Sequence, residues 1–313
     1  PVEQASRLLP VEQASRLLPV EQASRLLPVE QASRLLPVEQ ASRLLSVEVI
    51  NFGVHGYGTA QELITLRTKV WDYNPDIVIL AFFVGNDLIN NSKKLESDLY
   101  RPFFVYRNGS LVEDLSFRQL SPGYSNSYAV SFVDNLPDWL VANSRVLQVI
   151  KKVDLDNKKR QGLAEYRSHS FSKFNPPVDE VWEEAWNLTE DLILLMRDEV
   201  EEKGAKFAMA VIASPLQVHP NEEKRRRKQE EFGVKDWFYV GNRLDKLGDR
   251  YDFPAWDLTE PFLSFSQEKQ VCLHGFEPAA DCGGHWNAEG HKLAGEIISR
   301  NVCGELEMVR SNR

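Results

Sequence analysis

Eight consecutive apolar residues, Ile77 to Val84, limit what this chain can fold into more than any other feature. Pro75-Asp76 precedes them and Gly85-Asn86-Asp87 ends them abruptly. A short continuous apolar run of this kind reads as a strand buried on both faces, as in a parallel sheet. The polar Gly-Asn-Asp then falls at the carboxyl end of that strand, where open α/β sheets place their chemistry. Lys206–Ala213 is a second run of the same type, ended by Ser214-Pro215, and Ala255–Leu258 reads as a short third one. Between the first two, Val178–Glu202 sets Val178, Val181, Trp182, Ala185, Trp186, Leu192, Met196 and Val200 on one face of a long helix, closed by Gly204.

Upstream, Val47–Phe52 alternates like a strand. Gly53–Gly58 follows with three glycines in six residues, then Thr59 as a helix cap and a helical spacing through Tyr73. The series predicts a βαβ unit. Its glycines run G-x-x-G-x-G rather than the dinucleotide fingerprint G-x-G-x-x-G, which argues against nucleotide binding. Arg101–Asp114 reads as a hairpin turning at Asn108-Gly109. Asn135–Asn175 is polar and irregular, with an amphipathic helix expected near Ser144–Val153. Near the carboxyl end, Asn287 is positioned to cap a helix whose apolar face holds Leu293, Ala294, Ile297 and Ile298.

The first 45 of the 313 residues are five unbroken copies of PVEQASRLL. A proline every nine residues interrupts helix, so short, weakly packed helical pieces are expected there. Residues 46–313 form the expected folded domain. A net charge of −9 argues against a nucleic-acid partner. No apolar run approaches the roughly 18 residues a membrane span needs, and no secretory pattern opens the chain. The basic run Lys224–Lys228 sits among glutamates and reads as a solvated helix face. Three cysteines give no disulfide framework. Cys272 and Cys282 are near enough in sequence to pair or to share a metal, but two free thiols is the simpler reading.

Acyl transfer needs donors aimed at a developing oxyanion, and a base, most often histidine, held by a third group. Gly56, Asn86 and His285 fall on loops at one side of the inferred sheet and are of the required types. Here VINFGVHGYGTAQE, FFVGND and GHWNAEGH together resemble blocks II, III and V of the SGNH (GDSL-type) hydrolases, in the right order and spacing over Val47–Val302. The resemblance implies a flavodoxin-like three-layer α/β/α sandwich with a mainly parallel sheet, and an esterase or lipase acting on a small-molecule or carbohydrate ester. It also implies Gly56 and Asn86 as oxyanion donors and His285 as the base. No cofactor or metal is implied.

Two departures stand out. Block I, a Gly-Asp-Ser on the first strand, is missing, and with it the nucleophile and that strand. Upstream serines are Ser46 and the repeat serines Ser6, Ser15, Ser24, Ser33 and Ser42, none in a Gly-Asp-Ser context. The acid usually stands three residues before the histidine, where this chain has Cys282; Asp281, one residue earlier, is the remaining candidate. Activity is therefore expected to be impaired. A non-catalytic ligand- or glycan-binding protein and a related O-acyltransferase are the other readings. Asn86-Asp87 also reads as a helix cap and His285 as a helix-start histidine. His291 and Trp286 read as packing residues, His55 as a loop residue. The spacing of His55, Asp87 and His285 matches no known metal-ligand pattern.

Overall fold

The computed structural model describes residues 48–119, 136–150, 153, 171–276 and 281–311. The nonapeptide repeats therefore lie outside the described residues, as do parts of 135–175. Asn51–Asn301 is one compact unit, and Glu48–Ile50 with the residues from Val302 onward belong to a second.

The molecule is mixed α/β. Strands β1 (Ile77–Phe83), β4 (Lys206–Ile212) and β5 (Ala255–Asp257) form a parallel sheet in the order β1-β4-β5. Strands β2 (Phe103–Arg107) and β3 (Ser110–Asp114) form an antiparallel hairpin. Its two-residue turn places Asn108 at φ 51° and Gly109 at φ 79°. Both are left-handed, as the turn that matches strand twist requires, and Asn-Gly adopts it at little cost. The hairpin is held to the body by Phe103 and Phe104, both buried, and by Tyr106 Oη donating to Asp191 at 2.5 Å.

Helices with both bounds among the described residues are α1 (Thr59–Thr68), α2 (Asp87–Asn91), α3 (Asp138–Asn143), α4 (Glu180–Glu202), α5 (Glu222–Glu231), α6 (Tyr239–Tyr251), α7 (Thr259–Lys269) and α8 (Ala288–Ser311). The longest of the first seven, α4, forms for the reasons legible in its sequence. Asp179 accepts the Trp182 N–H at 3.0 Å as N-cap, and Gly204 follows the last turn at φ 81°. Trp182, Ala185, Trp186, Leu192, Met196 and Val200 are buried along one face, whereas Val178 precedes the helix and is exposed.

Two apolar clusters flank β4. Phe207, Met209 and Val211 join α1, α4 and α6 in the larger cluster, while Ala210 joins α7, Leu273 and Ala294 in the smaller. The alternation is that of a strand covered on both faces. β1 differs from expectation. Leu80 and Phe82 are buried, but Ile79 and Ala81 are exposed: one face of β1 is covered and the other is not, and among the described residues β1 pairs with β4 alone.

The expected strand at Val47–Phe52 is also absent. Among its described residues, Glu48 to Phe52 carry no strand pairing, and Val49 is 85% exposed. Alternating apolarity needs a neighbouring strand to become a ladder, and none stands beside it among the described residues. The cap of α1 is Gly58 rather than Thr59, with the Gln61 side chain accepting from the Gly58 N–H at 2.9 Å. A Cβ on Gly58 would lie 2.8 Å from the Asn90 Cβ, so glycine lets α1 and α2 meet closely. The basic run is only partly solvated. Arg225 on α5 is buried, with its guanidinium donating to the His219 carbonyl.

Candidate active site

Three separated segments meet beyond the carboxyl end of β1. The loop Gly53–Gly58 contributes His55, Gly56 and Tyr57. Its His55 ring packs edge-on against the His285 ring, with centroids 5.5 Å apart. Its Tyr57 carbonyl is 3.5 Å from the Asn86 side-chain nitrogen. The loop thus touches His285 on one side and Asn86 on the other, bringing together three of the four residues singled out in the sequence.

His285 is held by its backbone. Gly275 N–H donates to the His285 carbonyl at 2.9 Å and Asn287 N–H to the Leu273 carbonyl at 3.0 Å, an antiparallel bridge centred on His274 and Trp286. Asn287 then caps α8, its side chain accepting from Gly290 N–H at 3.0 Å. A Cβ on Gly290 would lie 2.3 Å from the Leu273 carbonyl oxygen, so only glycine lets α8 start this close. Trp286 packs on Phe262, and the exposed His291 ring stands edge-on to it.

Cys272 and Cys282, read above as free thiols, form a disulfide with Cα atoms 5.0 Å apart. Sequence spacing alone does not disclose the pairing. Titration of the denatured chain is expected to find one thiol, Cys303, before reduction and three after. Reduction should lower stability by about 2–3 kcal/mol, the loop-closure value for a short ring; an unchanged urea midpoint would contradict this.

Gly56 and Asn86 are tied by a polar network. Asn86 Nδ2 donates to Asn90 Oδ1, and Asn90 Nδ2 donates to the Glu96 carboxylate. Glu96 lies 3.6 Å from Arg101, whose guanidinium donates to the Gly56 carbonyl at 3.0 Å. Asn90 and Glu96 are buried, so the ring of contacts fixes both candidate donors with little solvent competition. Asn86 does not cap α2 through its side chain. Asn90 and Asn86 are one helical turn apart, a spacing that could have drawn attention to the pair in the sequence; Glu96 and Arg101 had no such signal.

Beneath the Gly85-Asn86 turn lie two buried ionisable groups, Asp87 and Lys173, with the half-buried Glu62 close enough to act on Asp87. Asp87 accepts the Phe83 N–H at 2.7 Å, and Lys173 donates to the Gly85 carbonyl at 2.5 Å. Both are nearly inaccessible. Burial, then the nearby Glu62 charge, pushes the Asp87 carboxyl up, while the Phe83 N–H and Lys173 hold it back. Burial lowers the Lys173 ammonium to about 7, against the pull of Asp87. Burial raises Glu62 to about 8, and its Oε2 has no hydrogen-bond partner.

Asp281, the candidate acid, pairs with Lys224, which holds its carboxyl below the usual range. Its hydrogen bond goes to a lysine on α5, and its side chain is largely exposed. The sequence reading missed this because nothing near Asp281 announces a partner 57 residues upstream. Among the described residues no group of three or more His, Cys, Asp or Glu could hold a metal, and no helix is long and apolar enough to cross a membrane. Comparison with family models, with curated proteins and with solved structures finds no match for this chain.

Proposed function

We propose that the chain carries the scaffold of an SGNH-type ester hydrolase whose site lacks its attacking serine. The observation that carries this reading is the Gly53–Gly58 loop touching both the His285 ring and the Asn86 amide. An imidazole base and two anchored amide donors at one sheet edge are what acyl chemistry asks for. The parallel order β1-β4-β5 among the described residues is compatible with three consecutive strands of a flavodoxin-like 2-1-3-4-5 sheet. The substrate class is a small-molecule or carbohydrate ester.

Loss of a nucleophile lowers turnover by several orders of magnitude. The purified chain is therefore expected to hydrolyse p-nitrophenyl acetate no faster than its His285→Ala variant. Robust turnover that disappears in the variant would reveal a nucleophile elsewhere in the chain. A second reading, a binding protein for such esters, is favoured by one detail: the Asn86 amide already donates to Asn90 and Asp281 already pairs with Lys224. Under that reading, an acetylated sugar raises the melting temperature without being consumed.

A further inference from the structure

Where its residues are described, the expected amphipathic helix near Ser144–Val153 is formed, and its apolar side chains there are exposed. Residues 145–150 and Val153 are helical. Ser144 begins the helix, its hydroxyl accepting the Leu147 N–H at 3.3 Å. The Gln148 side chain donates to the Val141 carbonyl at 3.1 Å, fixing the junction with α3. Val146, Val149, Ile150 and Val153 are 68%, 60%, 38% and 53% exposed. Their spacing of three, four and seven residues makes one continuous stripe. Leu147 and Gln148, on the other side, are half-buried.

A soluble helix turns such a stripe inward; this one leaves branched apolar side chains in water. The surrounding charge says what covers them. Ser144–Val153 contains Arg145, Lys151 and Lys152 and no acidic residue, in a chain of net charge −9. An apolar stripe bordered by cations is the composition that lies in the plane of an anionic bilayer, stripe among the acyl chains and cations at the phosphates. We propose that this helix docks the protein on an anionic phospholipid surface. The acidic body is repelled by the same surface, so binding runs through this one element and weakens with salt.

The test is co-sedimentation of the full chain with vesicles of phosphatidylcholine, with and without phosphatidylserine. Partitioning is expected to be about ten-fold or more stronger onto the phosphatidylserine vesicles, as a few basic residues near the surface provide. High salt should remove the preference. Val149→Glu/Ile150→Glu should abolish binding, and Lys151→Glu/Lys152→Glu should abolish the preference. Val149 and Ile150 are exposed, so the first variant should keep the parent's melting temperature. Equal binding to both vesicle types, no binding, or binding unmoved by these variants overturns the proposal. So does a stripe variant that changes only the oligomeric state in light scattering, which would assign the stripe to a second copy of the chain.

Discussion

Asp87→Ala is expected to melt about 2–12 °C below the parent chain. Asp87 is buried at the first turn of α2. Its carboxyl oxygen accepts the Phe83 N–H at 2.7 Å, at the carboxyl end of β1. Alanine removes that acceptor and leaves the donor unsatisfied. Such a loss costs about 1–3 kcal/mol, and each kcal/mol moves the midpoint of a domain this size by about 2–4 °C. Asp87→Asn keeps an acceptor of the same shape and should lose far less. If Asp87→Ala unfolds within a degree of the parent in calorimetry, the turn that carries Asn86 is not supported from below.

Between about pH 4 and 7, below the range in which Lys173 titrates, stability should pass through a broad maximum, because His274 and Glu62 pull in opposite directions. His274 is nearly inaccessible, and burial lowers its imidazole to about 4 despite its bond to the Ala213 carbonyl. The unfolded chain therefore takes up this proton first as pH falls. Its contribution is complete above about 6.5 and is lost on descending toward 4, amounting to about 3 kcal/mol. Glu62 acts in reverse. Burial raises its carboxyl to about 8, so the folded chain keeps a proton that the unfolded chain releases near 4.5. That contribution is complete below about 4.5 and is lost as pH rises toward 8. Urea denaturation across this range should show His274→Gln flattening the acid limb and Glu62→Gln flattening the alkaline one. Glu62→Gln should also gain on the parent as pH rises. Variant curves running parallel to the parent's would sink both assignments.

What the sequence disclosed follows from how local each signal is. The hairpin was legible because Asn108-Gly109 supplies the two left-handed residues that its turn needs. The helix Glu180–Glu202 was legible because cap, period and terminal glycine agree. Strand order alone put Gly56, Asn86 and His285 on loops at one side of the inferred sheet; in the structure the Gly53–Gly58 loop meets the His285 ring through His55 and the Asn86 amide through Tyr57. Several misreadings concern partners distant in sequence. Nothing local says that Glu48–Phe52 will lack a ladder or that Asp281 will meet Lys224. Cys272 and Cys282 stand near enough to pair, and spacing alone does not choose between a bridge and two thiols. Lys173 went unnoticed because it reaches the Gly85 carbonyl from a polar segment without periodicity.

The position of β1 sets the order in which this protein can assemble. Every ladder partner of β1 lies on β4, about 130 residues further along the chain. At a ribosome's pace of roughly 5–20 residues per second, the nascent Ile77–Phe83 segment waits several seconds or more for its mate. During that interval an oily strand stands bare, and a chaperone is its natural companion.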